Sequence, residues 1–443
     1  MAVLRFDVRV VPPTEPAAER ARDGTARMVG GDRAGAEQLY REAAAMPAAQ
    51  GSSWINLAAL ALALGDSQAA RAHALDALQF DRAIADAWVN LGAASWNLDM
   101  RREAAQATHR ALDLWPGMEA AAWNLKLMYQ AVGQVERART MLAQALTRNP
   151  RSARLHEAMA DVSRLLGDTS ATRTHALAAL PLLQPALAAA PLHGDPLDAR
   201  DAGADRDRLH AAMTEACARL QQAGIAHLLI GGVVLGIARE GDPFVGDKDI
   251  DIALDEGVDR DAVAAAFATG FTPVRVPAAH AGDARRWCMG YTHEASGIGI
   301  DLFFLQRGDT TIRQGLGWPD RLFYDYPTFG PGTLAWRGRD WPVPAPLETH
   351  LASSYGDDWR SPRREVGDGR SFDKRWFDTQ VSCPGLVPES LPQAVGLVLL
   401  RLLATLRLAR WEKALALCDQ VLARESIDEV EAMRRYLLAA GIR

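Results

Sequence analysis

A spacing of 34 residues governs the first part of the chain. It separates Trp54 from Trp88, and it separates Leu57, Leu91 and Leu125 in succession. Gly31, Gly65, Gly133 and Gly167 keep the same interval, with Asp99 in the remaining slot. Small residues recur in phase at Ala36, Ala70, Ala104 and Ala138, then at Ala43, Ala77, Ala111, Ala145 and Ala179, and Pro116 and Pro150 end two of the units. A period of this length describes one helix-turn-helix per repeat. The alanines let two antiparallel helices pack closely, the glycine turns the chain, and no unit buries its apolar face without neighbours. Such a region must fold as a stack.

The pattern is similar to the tetratricopeptide repeat. That similarity implies an all-α solenoid over residues 26–180, with three full units between residues 51 and 150, a partial unit before them and a degenerate one after, to about Leu180, as caps. Residues 1–25 are a leading segment, in whose first 13 residues charged and apolar side chains alternate. Residues 181–204 contain four prolines and read as a linker. A chain of 443 residues is long enough for two or three domains, and the rest divides into residues 205–385 and a helical end, residues 386–443. In that end Ala394 to Ala409 is strongly apolar, and Trp411 to Ala423 resembles the second helix of a repeat. It is expected to pack on the preceding domain rather than form a repeat-like hairpin of its own. Residues 363–387 show little apolar periodicity and are expected to be a loop folded over the site.

The second half carries a different signal. An apolar run, His227 to Ile230, leads into Gly231-Gly232 and a helix-like segment ending near Arg239. Asp249 and Asp251 then sit two apart inside a second apolar run, and Asp301 lies in a third, between Ile300 and Leu302. Residues two apart on a strand share a face, so the two acids point together while Ile250 and Ile252 are buried. Asp301 is placed to close the group from a neighbouring strand. Clustered carboxylates raise one another's pKa or recruit a cation, and an all-oxygen set suits Mg2+ or Mn2+. Glycines allow close backbone approach to a phosphate, and the helix after them offers it free N–H groups. Asp249, Asp251 and Asp301 are thus candidate metal ligands and catalytic residues for phosphoryl chemistry. A plain turn and solvated acids are the alternative.

These segments resemble the LicD/fukutin family of the nucleotidyltransferase-fold superfamily. Gly231, Gly232, Leu235, Gly236 and Arg239 fall on its glycine-rich element, and Asp247, Asp249 and Asp251 on its D-x-D-I-D-I element. Pro342 to Glu348 and Tyr355 to Pro362 resemble its later proline-rich and Y-G-x-x-W-x-x-P signatures. Two departures are Val233, where threonine is usual, and Lys248, where many members carry another acid. The resemblance covers about residues 205–370. It implies an α/β nucleotidyltransferase fold, a mixed sheet flanked by helices, so that the whole chain is multidomain. It further implies Mg2+ or Mn2+, a CDP-linked donor, and transfer of a phospho-alcohol of the phosphocholine, ribitol phosphate or glycerol phosphate type. The acceptor would be a glycan, polyol or lipid-linked sugar, with release of CMP, and the repeats would dock that acceptor or a protein partner. A nucleotidyltransferase that expels pyrophosphate and a non-catalytic repeat scaffold remain open.

Gly231, Gly232, Arg239, Lys248, Tyr355 and Trp359 are the candidate substrate-binding residues. Arg239 either forks onto a donor phosphate or forms a salt bridge at the helix end. Lys248 either contacts substrate or offsets the charge of Asp247 and Asp249. Tyr355 and Trp359 either brace the site floor or touch the ligand. Trp318, Phe323, Tyr324 and Tyr326 form either a cage for a quaternary ammonium group or ordinary packing.

The net charge of -6 argues against general affinity for nucleic acid or an anionic membrane. Residues 1–13 lack the apolar core of a signal peptide, and no apolar run reaches the length of about 18 residues that suggests a transmembrane segment. A soluble, cytoplasmic protein is expected. Cys217, Cys288, Cys383 and Cys418 are scattered, which disfavours disulfides and a zinc site, and the ten histidines show no metal-ligand spacing.

Overall fold

The computed structural model describes residues 4, 6–11, 18–29, 31–44, 51–188, 202–244, 247, 249–361, 364–366, 370–372 and 379–442. The chain divides into two compact units, Met1–Leu166 and Gly167–Arg443.

The first unit is helical: α1 (Ala18–Val29), α2 (Arg33–Ala44), α3 (Gly51–Leu64), α4 (Ser67–Phe80), α5 (Ala85–Asn97), α6 (Arg101–Leu114), α7 (Glu119–Ala131), α8 (Val135–Arg148) and α9 (Ala153–Leu165). Successive helices pair as hairpins, α1 with α2 through α7 with α8. At each reversal one residue is left-handed: Gly31, Gly65, Asp99 and Gly133, with φ of 85°, 83°, 63° and 73°. That conformation is free of steric cost for glycine, and asparagine or aspartate tolerate it next best, which accounts for the residue types at this position. Ala36, Ala70, Ala104 and Ala138 are fully buried where the paired helices touch. The partial unit expected before residue 51 is a whole hairpin beginning at Ala18, because Tyr40 and Ala43 bury themselves against Leu57 and Leu60 of the next unit. Leu4 and Phe6 of the leading segment pack into the core of the repeats.

The second unit opens with α10 (Thr169–Ala188) and α11 (Ala202–Gln222). Helix thus occupies both ends of the stretch expected to be a linker, and residues 189–201 lie outside the described residues. An α/β region follows: β1 (His227–Ile230), α12 (Gly231–Glu240), β2 (Asp249–Asp255), α13 (Arg260–Ala266), β3 (Phe271–Pro273), α14 (Ala281–Trp287), β4 (Cys288–His293), β5 (Gly299–Arg307), β6 (Thr311–Gly315), β7 (Phe323–Pro327), β8 (Gly330–Trp336), β9 (Arg339–Ala345) and α15 (Leu347–Tyr355). Seven strands form one mixed sheet in the order β1-β2-β5-β4-β3, with β6 and β7 continuing from β5. Among the described strands only β2 and β5 run parallel, and they lie at the centre of the sheet. Ile250, Ile252, Ile300, Leu302 and Phe304 share one core with Leu209, Met213 and Leu220 of α11. Alternation then sends the acids between them to the opposite face.

Where a loop over the site is expected, β10 (Arg364–Val366) and β11 (Arg370–Phe372) make a hairpin and α16 (Thr379–Ser382) follows. The chain ends in α17 (Leu391–Arg407), α18 (Trp411–Leu422) and α19 (Asp428–Ala439). In the helical end, α17 and α19 pack against α10, and residues of α17 and α18 also line a cavity of the α/β region. A Cβ on Gly396 would touch Thr172 Cγ2 at 3.3 Å, and Arg173 Nη1 donates to Glu425 Oε2 at 2.9 Å. Its turn repeats the one in the first unit. Ala409 is left-handed at φ 56°, and the N–H groups of Ala409 and Arg410 bond to the carbonyls of Leu406 and Thr405, as those of Gly65 and Asp66 do to Leu62 and Ala61. Buried Ala414 and Val421 stand where Ala70 and Ala77 stand after Gly65. The pair α17–α18 is therefore a repeat-like hairpin, set apart in sequence from the others by the α/β region. Residues Pro388–Arg407 are long and apolar enough to cross a membrane, a length that reading contiguous apolar runs overlooks because polar residues interrupt it. Val395, Val398, Leu399, Leu402 and Leu403 supply that character, and they are buried inside the protein.

Candidate functional site

Asp249 and Asp251 sit at the start of β2, and Asp301 sits near the start of β5. The parallel register aligns Asp251 with Asp301, while Ile230 flanks Asp251 on β1 and Gly290 flanks Asp301 on β4. The two carboxylates thus project side by side from adjacent strands, and Asp249 joins them on the same face one pleat earlier. Gly231, at φ 73°, turns β1 directly into α12. The backbone there presses so closely on Asp251 that a Cβ on Gly231 would lie 2.0 Å from Asp251 Oδ2. Gly231, Gly232, Asp247, Asp249, Asp251 and Asp301 all line one cavity of about 720 Å³.

Burial pushes Asp251 well above the usual carboxylate range, and the charges of Asp249, Asp301 and Asp247 push the same way. Burial, followed by the Asp249 charge, raises Asp301 to about 6. Cys288 beside them is raised chiefly by burial and further by Asp301 and Asp251. Arg285 pairs with Asp261 at 2.6 Å, and Arg286 lies over the Trp287 ring at 5.0 Å. The donor set is all oxygen and backed by a glycine cradle, which fits a hard divalent cation. Among the described residues, no three His, Cys, Asp or Glu side chains are already gathered closely enough to hold one.

The other sequence candidates separate. Arg239 is nearly buried, its Nη2 donating to Glu240 at 2.9 Å and its guanidinium facing the Phe244 ring at 4.9 Å; it does not line the cavity. Of the two sequence readings, the structure shows the helix-end salt bridge. Tyr355 and Trp359 are both buried in the core of the α/β region, and of the two Tyr355 lines the cavity. Lys248 and Pro362 lie outside the described residues. The aromatic cage does not form: Trp318 stacks on His280 at 4.9 Å, Phe323 meets Trp287 edge-on at 5.0 Å, and only Tyr324 and Tyr326 line the cavity.

Reading the sequence motifs missed part of the cavity lining. Arg401, Arg410 and Lys413 of the α17–α18 hairpin line the same cavity as the acids, roughly 100 or more residues away in sequence. The repeat spacing from Ala409 to Ala414 and Val421 was the available signal for the hairpin, though not for what it faces. His350 also lines the cavity and is held neutral, since burial lowers it to about 4.

No family model matches the chain, and no curated protein matches it. Among solved structures it is similar to TTC0263, a thermophilic TPR protein of Thermus thermophilus, at 19% identity and a TM-score of 0.33, over 45% of this chain and 99% of that one. MamA from Desulfovibrio magneticus RS-1 matches at 16% identity and a TM-score of 0.32, over 39% and 97%. The first TPR of Spaghetti (RPAP3), bound to an HSP90 peptide, matches at 22% identity and a TM-score of 0.26, over 26% and 93%. The repeat assignment for this chain rests on its own period and on the turn shared by its hairpins.

Proposed function

We propose that the second unit is a metal-dependent phosphotransferase of LicD/fukutin type, moving a phospho-alcohol from a CDP-linked donor to a hydroxyl of a glycan, polyol or lipid-linked sugar. The observation that carries this reading is the pairing of Asp251 with Asp301 across the central parallel strands, on the wall of a cavity that Arg401, Arg410 and Lys413 also line. Asp249, Asp251 and Asp301 would hold Mg2+ or Mn2+, which supplies charge neutralisation and Lewis acidity at a phosphoryl group. The free N–H groups at the start of α12 and these three cations are suited to the remaining phosphate oxygens. Asp301 would also orient the attacking hydroxyl for in-line displacement.

The repeats support a second activity, protein interaction, because their groove already holds an extended stretch of polypeptide. Incubation with CDP-choline, CDP-ribitol, CDP-glycerol and nucleoside triphosphates separately, with Mg2+ or Mn2+, tests the catalytic reading. CMP release supports it, and pyrophosphate release replaces it with nucleotidyl transfer. No turnover with any donor, together with no cation-induced change in melting temperature, leaves the scaffold alone.

A further inference from the structure

The leading segment is seated in the repeats as a ligand would be. Asn56, Asn90 and Asn124 occupy one position in three successive repeats, on α3, α5 and α7, and each is fully buried. Asn56 Oδ1 accepts from the N–H of Val11 at 2.9 Å while its Nδ2 donates to the Val11 carbonyl at 3.1 Å. Asn90 makes the same pair with Arg9, at 2.7 and 2.8 Å, and Asn124 with Asp7, both at 2.7 Å. Three amides thus read every second residue of an extended chain through its backbone alone, which imposes no sequence.

Side chains add the selectivity. Arg154 Nη2 donates to Asp7 Oδ1 at 2.9 Å, Arg9 Nε donates to Asp86 at 2.5 Å, and the Phe6 ring meets Trp96 edge-on at 5.9 Å. A backbone ladder with an aromatic contact and two charge contacts of opposite sign is a built site for an extended peptide. Its present occupant is tethered, so it acts at an effective concentration on the order of millimolar and shields the groove from weaker competitors.

We infer that residues 6–11 are a displaceable internal ligand, and that the groove exchanges them for an extended segment of another polypeptide carrying an aromatic residue, then an acid, and a base two positions further on. The inference is independent of the phosphotransferase reading. In the unmodified full chain, the amides of Asp7, Arg9 and Val11 should be protected from hydrogen exchange, and exchange at free-chain rates would overturn the seating. A fluorescein-labelled peptide of residues 1–14 serves as probe in anisotropy titrations. Arg154→Glu in the full chain should loosen the native segment and favour a probe carrying Asp7→Arg, binding it at least tenfold more tightly than the wild-type chain does. Adding Asn90→Ala and Asn124→Ala should abolish that binding in a chain that retains its helical circular dichroism; Asn124→Ala alone, expected to weaken it several-fold, is the fallback. Equal affinity of both chains for both probes, or a dimer whose formation requires Asp7, would overturn it.

Discussion

Gly231 and Asp251 are so close that no side chain fits between them: a Cβ on Gly231 would stand 2.0 Å from the Asp251 carboxylate. The left-handed backbone at Gly231 adds a cost of about 1–2 kcal/mol for any other residue. Gly231→Ala should therefore swing Asp251 out of line and lower turnover at least a hundredfold, while thermal melting shows a protein that still folds. Retention of more than a tenth of the wild-type rate would refute the role given to this contact.

Asp249→Ala and Asp251→Ala test the cation directly. Both residues begin a strand and face the cavity, so removing either should leave the core intact. Mg2+ or Mn2+ at about a hundred times its dissociation constant should stabilise the wild type by about 2.7 kcal/mol and neither variant. Scanning calorimetry with and without EDTA reads the difference.

The pH dependence of stability has a definite sign at Asp301. Its folded pKa is raised to about 6, so the native state binds the proton more tightly than the unfolded chain does. In the absence of divalent cations, its contribution to stability is greatest below about pH 4 and is lost as pH rises through 6. Asp301→Asn should then raise the melting temperature at pH 7.5 in EDTA, corresponding to a gain of at most roughly 3 kcal/mol, and leave it unchanged at pH 4. Excess Mg2+ should reverse the ranking. A variant no more stable than wild type at pH 7.5 in EDTA would show that Asp301 is not destabilised by burial and by the Asp249 charge.

Arg410 and Lys413 line the same cavity as the acids. Replacing both with Ala should weaken binding of a CDP-linked donor on the order of a hundredfold or more, as expected from loss of two charge-assisted hydrogen bonds worth about 1.5–3 kcal/mol each. Calorimetric titration of the full chain decides it, and unchanged affinity would remove the hairpin from the site.

Ala409 holds the left-handed turn position that glycine takes in most of the other hairpins. Ala409→Gly should stabilise the second unit by about 1 kcal/mol, seen as a higher urea midpoint with an unchanged slope. A lower midpoint would mean that the α17–α18 turn is not under this strain.

The repeats and the acids' common face are legible in the residues alone, because each answers a local need. Period 34 in glycine and alanine meets one such need, turn plus close helix contact, and so it is written at each repeat. Alternation of Asp249, Ile250, Asp251 and Ile252 likewise follows from the pleat of a single strand. Whatever depends on partners distant in the chain had to await folding. Folding aligned Asp251 with Asp301 in one parallel register, turned Arg239 toward Glu240 and Phe244, and split the aromatic cluster among separate neighbours. It also docked the α17–α18 hairpin on α10, which brought three cations to the acids' cavity. Asn56, Asn90 and Asn124 show both sides: their spacing is plain in the sequence, but a buried amide must be satisfied, and only the folded chain reveals that residues 7, 9 and 11 satisfy them.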